Sequence, residues 1–173
     1  MTDSVIGPAA PADLEQVAAI FAHYVTHTAV TFEVTPPGVA DWRRRLDSLD
    51  SLGLPFLVAR ADAEVTGFAY AAPWRPKPAY RHTVEDSVYL APGRTGQGLG
   101  RGLLAGLLAR CRTAGVRQVV AVIADAGSDA SVALHQRLGF IPVGRLTGVG
   151  YKHGAWIDTV LLQCDLTATR RVG

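Results

Sequence analysis

A run of glycines between residues 93 and 102 is the segment whose residue types and spacing point most directly to chemistry. It reads Gly93-Arg94-Thr95-Gly96-Gln97-Gly98-Leu99-Gly100-Arg101-Gly102 and lies between a predicted strand and a predicted helix. Glycine lets backbone N–H groups converge on an anion, and a helix N-terminus adds about half a positive charge. The segment therefore predicts a site for a pyrophosphate group. A glycine-rich connection that only tight packing requires is the alternative.

The spacing of these glycines excludes two common nucleotide-binding motifs. The chain lacks the G-x-x-x-x-G-K-[ST] sequence of a Walker A loop, and Gly96-x-Gly98-x-Gly100-x-Gly102 does not match G-x-G-x-x-G. In addition, no strand with an acidic end follows at the distance that a ribose contact needs. The predicted anion site therefore belongs to neither of these classes.

Two titratable residues near this segment have an ordinary interpretation when the residues are taken alone. Glu85, on a predicted strand, is expected to face outward or to pair with Arg81. His135 lies on a predicted helix with apolar residues three positions away on each side, a pattern typical of a satisfied, partly buried histidine. A functional role for either residue needs a further argument.

Composition and charge exclude several classes of protein. Seventeen Lys and Arg against fifteen Asp and Glu give a formal charge of +2, without the basic run that tracks a nucleic-acid backbone. No apolar stretch approaches the ~20 residues that span a bilayer. Cys111 and Cys164 have no CxxC spacing or neighbouring histidines, so we expect two buried thiols and neither a metal site nor a disulfide. With no signal-like N-terminus, the chain is expected to be cytoplasmic.

Apolar periodicity and turn residues predict an α/β protein with a mixed sheet of about seven strands and four helices. The predicted helices span 11–27, 39–53, 99–115 and 128–138, and the strands after a short first one span 55–61, 64–74, 82–90, 116–124, 140–149 and 156–166. The single βαβ crossover lies between residues 83 and 124. We expect one domain over residues 1–166 and a tail over 167–173.

The segment Gln97-Gly98-Leu99-Gly100 resembles the acetyl-CoA motif [QR]-x-x-G-x-[GA] of the GCN5-related N-acetyltransferases (GNAT). Gly98 and Gly100 match the motif, whereas Thr95 stands where Gln or Arg is usual. The resemblance implies the GNAT fold, acetyl-CoA as cosubstrate and no metal. It also implies a set of cofactor-binding residues: Val88, Tyr89, Leu90, Thr95, Gly96, Gln97, Gly98, Leu99, Gly100, Arg101, Ser128 and Ser131. Ser128 replaces the family's usual Asn.

A narrower resemblance covers nearly the whole chain. The segments Ala29–Phe32, Trp74–Tyr80, Thr83-Val84-Glu85, Leu138-Gly139-Phe140 and Tyr151-Lys152-His153-Gly154-x-Trp156-x-Asp158 are similar to the phosphinothricin and methionine sulfoximine/sulfone N-acetyltransferases. This likeness implies direct transfer of the acetyl group to the α-amine of a small amino acid analogue. Glu85 would then be the general base, because an ammonium must lose a proton before it attacks. His135 would bind the departing sulfur or relay the proton.

The same resemblance assigns the substrate site and a partner. Arg75 and Lys77 stand where the family has basic residues for a carboxylate or phosphinate, and the further substrate-binding residues are Phe32, Trp74, Tyr80 and Thr83. A solvated basic loop is the alternative. Lys152 and His153 lie in a segment that approaches a neighbouring subunit in the family, which implies a homodimer. The rival functions are acetylation of a different small amine and acyl-CoA binding without catalysis.

Overall fold

Residues 4–167 of the computed structural model form a seven-stranded sheet with helices on both faces. The strands are β1 (Val5–Pro8), β2 (Phe56–Ala61), β3 (Glu64–Pro73), β4 (Thr83–Leu90), β5 (Gln118–Ala124), β6 (Ile141–Lys152) and β7 (Ala155–Asp165). The helices are α1 (Leu14–His27), α2 (Val39–Ser51), α3 (Leu99–Thr113) and α4 (Ala130–Arg137), with single 3₁₀ turns at Pro11–Asp13 and Pro78–Tyr80. The predicted mixed sheet, strand number and helix number are confirmed.

The strand order is β1-β2-β3-β4-β5-β7-β6, and every neighbouring pair is antiparallel except β4 and β5. That parallel pair is connected through α3, as the predicted βαβ crossover requires. Its register runs only from Thr83↔Gln118 to Glu85↔Val120 and then stops. The two strands therefore separate beyond Glu85, in the middle of the sheet.

Two separate cores fix the position of β4, because successive side chains of a strand point to opposite faces. Val84, Val88 and Leu90 pack on the face covered by α3 and α4. Tyr89 packs on the other face, where Trp42 of α2 is fully buried beside Phe21 of α1. Glu85 and Ser87 share the face of Tyr89, and Asp86 lies on the face of Val88.

Some helices and strands end at other residues than the sequence predicts, because local hydrogen bonds take up backbone groups that a longer element would use. The fifth strand begins at Gln118 rather than 116 because the N–H of Val116 binds the carbonyl of Cys111. That bond, with Gly115 at φ +81°, completes a Schellman-type end of α3. β6 continues to Lys152, past the predicted end at 149.

The described residues contain no helix long and apolar enough to cross a bilayer. Apart from Thr167, the predicted tail at 167–173 falls outside the described residues.

Candidate active site

The separation of β4 from β5 opens a cavity of about 810 Å³ that reaches both faces of the sheet. On the α3/α4 face it is walled by Gly100, Leu134 and His135, and on the α1/α2 face by Tyr24, Thr31 and Phe32. Between them lie the diverging parts of β4 and β5, residues 85–90 and 121–124. Two molecules that enter from opposite faces can therefore meet at the gap.

Backbone N–H groups of β4 point into this gap. The N–H of Ala91 donates to the backbone carbonyl of Thr66 in β3. Backbone N–H groups two positions apart in a strand point to the same side, so those of residues 89 and 87 also point toward β3. The N–H groups of Val88 and Leu90 consequently face the side from which β5 has moved away. These groups are placed to bind a polar chain lying in the gap or an oxygen that becomes negative there.

The glycine run forms the turn into α3, as predicted. Gly96 and Gly98 adopt φ of +77° and +78°, a left-handed conformation that favours glycine, and Gly98 caps the helix. The first intrahelical bond runs from the N–H of Gly102 to the carbonyl of Gly98, so the N–H groups of residues 99–101 precede it. They have no carbonyl of the helix to bind, and N–H groups in this position are suited to binding an anion.

Most predicted cofactor-binding residues line the cavity together: Val88, Tyr89, Leu90, Thr95, Gly96, Gly98, Gly100, Arg101, Ser128 and Ser131. Gln97 and Leu99 do not line it, and their contact with the cofactor stays a prediction. Leu99 packs instead against the core on the α3 face, because it starts the apolar stripe of the helix. Only its backbone N–H stays available to a ligand.

Glu85 lies half-buried in the wall of the cavity. Burial raises the pKa of its carboxyl above the ordinary value, the neighbouring negative charge of Asp86 raises it further, and the charge of Arg75 opposes both. A carboxylate with a raised pKa holds a proton more strongly than an exposed one. Glu85 therefore has the position and the basicity that proton removal from an amine needs.

Asp86, which sequence reasoning missed, forms a buried ion pair with His135. Nε2 of His135 lies 2.9 Å from the Asp86 carboxylate, and Nδ1 lies 2.7 Å from the carbonyl oxygen of Ser131. Both neighbours accept hydrogen bonds only, so both ring nitrogens carry protons. Burial would lower the pKa of His135, but the bond to Asp86 outweighs it and the pKa is raised.

The predicted alternative for His135, a satisfied buried histidine, thus agrees with this geometry. A bond from His135 to a departing sulfur would require one of its two present bonds to break. Glu85 and His135 also approach the cavity from opposite faces of the sheet.

The predicted substrate-binding residues divide between two places. Phe32 lines the large cavity. A second cavity of about 370 Å³, at the N-terminal end of β4, is lined by Arg75, Lys77, Tyr80 and Thr83. Trp74 lines neither, and the guanidinium of Arg75 stacks on its ring at 4.9 Å. The 3₁₀ turn at Pro78–Tyr80 belongs to this second cavity, and substrate binding by these six residues stays a prediction.

Three further residues of the cavity carry no sequence signal of their own. The Tyr24 hydroxyl donates to the Leu90 carbonyl at 2.6 Å, and the side-chain hydroxyls of Thr31 and Tyr89 share a hydrogen bond. Arg137 of α4 adds a cation to the lining. Tyr24 fits the apolar stripe of α1, and only the fold shows that its hydroxyl reaches the sheet. Across residues 4–167, no group of three or more His, Cys, Asp and Glu side chains could hold a metal ion.

The chain is similar to a family model, to individual protein sequences and to solved structures. The model of the acetyltransferase (GNAT) family matches residues 18–140. A phosphinothricin N-acetyltransferase of Alcaligenes faecalis is 47% identical over 156 residues, covering 90% of this chain and 79% of that protein. An L-methionine sulfoximine/L-methionine sulfone acetyltransferase of Pseudomonas aeruginosa is 40% identical, covering 95% and 96%.

A solved structure has the same arrangement of elements. It is a phosphinothricin acetyltransferase of Sinorhizobium meliloti in complex with acetyl-CoA, 38% identical, with a TM-score of 0.90 and coverage of 100% of this chain and 95% of that one. Together with the gap between β4 and β5 and the glycine turn into α3, these likenesses show that the chain belongs to the GNAT family of acetyltransferases.

Proposed function

We propose that this protein transfers the acetyl group of acetyl-CoA to the α-amine of a small amino acid analogue, such as phosphinothricin or methionine sulfoximine/sulfone. The observation that carries the proposal is the cavity that passes between β4 and β5, with an anion site at one end and Glu85 in its wall. The named relatives act on these substrates, and their likeness extends along 90% or more of this chain.

The residues present fit acetyl-CoA. The turn Thr95–Gly98 and the N-terminus of α3 would hold the pyrophosphate, with Arg101 and Arg137 nearby as cations. The N–H groups of Val88 and Leu90 would bind the pantetheine arm and the acetyl oxygen, since they face the gap. Ser128 and Ser131 would contact the arm from the α4 side. Acetyl-CoA supplies the acetyl thioester when it is bound.

Direct transfer in a ternary complex assigns Glu85 the role of general base. Its carboxylate takes a proton from the substrate ammonium, directly or through a water molecule, and the free amine then attacks the carbonyl carbon. The negative charge that forms on the acetyl oxygen meets the N–H groups of β4. As the C–S bond breaks, the nitrogen gives up its second proton and the departing CoA sulfur takes up one proton, so that CoA leaves as a thiol. No covalent bond to the protein forms, and the buried thiol of Cys111 takes no part.

Phe32 and its neighbours would wall the pocket of the amino acid side chain. Arg75, whose charge acts on Glu85, and Lys77 would bind the substrate carboxylate or phosphinate from the 74–80 loop. We also propose that the protein is cytoplasmic and that it forms a homodimer. The dimer is supported by the hairpin of β6 and β7, which exposes several large apolar side chains.

The test is release of CoA thiol from acetyl-CoA by purified protein with phosphinothricin, methionine sulfoximine, methionine sulfone and the common amino acids. We expect saturable activity on the first three. Glu85→Gln should lower kcat by about 100-fold or more and leave acetyl-CoA affinity within about twofold. Glu15→Gln, an exposed carboxylate of α1, is the matched control.

Two results would contradict the proposal. Activity confined to other amines would replace the substrate and keep the reaction. Acetyl-CoA binding without thiol release on any amine would favour an acyl-CoA-binding module.

A further inference from the structure

The loop that follows α1, residues 28–33, is fastened to the far end of the β6–β7 hairpin. Nζ of Lys152 donates to the Thr31 carbonyl at 2.8 Å, and Nε2 of His153 lies 3.2 Å from the Thr28 carbonyl. Lys152 is only 5% exposed, so its amine is committed to this bond. Both bonds go to backbone carbonyls of the loop, so the hairpin holds the loop backbone at two positions.

Gly150 lies under the ring of Phe32. It is buried and shares a face of β6 with Lys152, two positions later. A Cβ added at Gly150 would come within 3.0 Å of three ring carbons of Phe32. Gly150 has no positive φ, so the backbone accepts alanine there and the obstacle is the ring alone.

The bonds to Thr28 and Thr31 hold the loop against the hairpin, so a methyl group at 150 would displace the Phe32 side chain rather than the loop. Carbon atoms in contact need about 3.5–4.0 Å, which implies a shift of roughly 1.2–1.7 Å from the 2.3 Å separation. Phe32 forms a wall of the large cavity with Val30 and Thr31, and this wall moves with the ring.

We propose that Gly150 sets the position of the Phe32 ring and thereby the width of the cavity where the amino acid side chain binds. Gly150 is a positioning residue that determines specificity without touching the substrate. The assignment of this end of the cavity to the amino acid rests on the proposed function. The steric contact itself does not.

The experiment compares kcat and KM of wild type and Gly150→Ala for phosphinothricin, methionine sulfone and alanine. We expect kcat/KM to fall about tenfold or more for the two longer substrates and much less for alanine, because a wall that moves by one methyl group discriminates by this order. The KM for acetyl-CoA should stay within about twofold, since the glycine turn and the α4 residues predicted to bind it lie on the other face.

Gly144→Ala is the matched control. It is on the same strand without a positive φ, and its added Cβ would make only an ordinary 3.8 Å contact with Leu161. The double variant Gly150→Ala/Phe32→Ala supplies the decisive comparison. Once the ring is gone, alanine at 150 should change nothing further relative to Phe32→Ala alone. Equal effects of Gly150→Ala with and without the ring, or an unchanged substrate ranking, would overturn the inference.

Crystal structures of Gly150→Ala and Gly144→Ala separate this inference from the proposed function. A displaced ring in the first and an unmoved ring in the second would support the role of Gly150 even if the wild type acetylates no amino acid, in which case the proposed substrate alone is wrong. An unmoved ring in both would overturn the inference whatever the activity.

Discussion

At Glu85, burial and a neighbouring carboxylate act together against ionisation, and Arg75 alone opposes them. The kcat/KM should therefore fall as the pH is lowered, with a midpoint above pH 4.5, the ordinary pKa of Glu. Arg75→Ala should move this midpoint to higher pH, and Asp86→Asn should move it lower. Arg81→Ala, a nearby cation that does not act on Glu85, is the control for Arg75.

These opposite shifts are measured in the same pH–rate profile. If kcat/KM falls at the same pH in wild type, Arg75→Ala and Asp86→Asn, Glu85 is not the group that titrates.

The Asp86–His135 pair makes stability depend on pH. The folded-state pKa of His135 is raised, so the stabilisation is fully present below the unfolded value of about 6.5 and is lost as pH rises through the folded value. Removing one partner of a buried pair costs about 3 kcal/mol. We expect Asp86→Asn to lower the free energy of unfolding by about this amount at pH 6 and by less at pH 9.

Denaturant titrations of wild type and Asp86→Asn at the two pH values measure this difference. Asp47→Asn, whose ion pair with Arg43 is exposed, is the control. A gap independent of pH would show that His135 is not protonated in the pair.

The sequence predicted that Glu85 and His135 lie near one site, but it did not predict the ion pair between Asp86 and His135. Asp86 stands beside Glu85 on a strand, where a carboxylate looks like an ordinary outward residue, and its partner is 49 positions away. The contact of Phe32 with Gly150 is equally non-local. Such contacts depend on how elements pack, and a single sequence carries no periodic signal for them.

Among the elements, the turn into α3 depends most on glycine. Gly98→Val should abolish acetyl-CoA binding, because a branched side chain disfavours φ +78° and would stand beside the N–H groups of the helix terminus. Isothermal titration with acetyl-CoA measures the effect. Gly115→Val is a matched control, since Gly115 has φ +81° at the other end of the same helix.

Both glycine variants should lose stability, but only the first should lose the ligand. Equal loss of binding in the two would mean that backbone strain, and not the site, is responsible.

Element order was predictable because each helix has an apolar stripe and most turns have a glycine or proline, the turn at Asp62 and Ala63 being polar instead. The path of the 74–80 loop was not, because its prolines exclude a strand but leave its direction open. Its placement at the smaller cavity is set by the 3₁₀ turn and by the start of β4. The contact of its basic residues with a substrate carboxylate therefore stays a prediction.

For the whole molecule, the β6–β7 hairpin predicts association between copies. Its exposed apolar side chains are Ile141, Val143, Leu146, Val149, Tyr151 and Trp156. Several exposed apolar side chains on one hairpin are typical of an interface. We expect a mass near twice 18.3 kDa in sedimentation equilibrium, and a shift toward the monomer for Trp156→Glu.

Val5→Glu is the control, because Val5 is also exposed but lies on β1 at the opposite edge of the sheet. A monomeric wild type would contradict the predicted dimer and leave the reaction untouched.

The passage between β4 and β5 also governs how the protein can be inhibited. Two compounds that occupy the α3/α4 half and the Phe32 half do not compete for one entrance, so their effects should combine. A single compound that joins both halves must instead thread a gap bounded by Glu85 and Val120, where the strands are still paired.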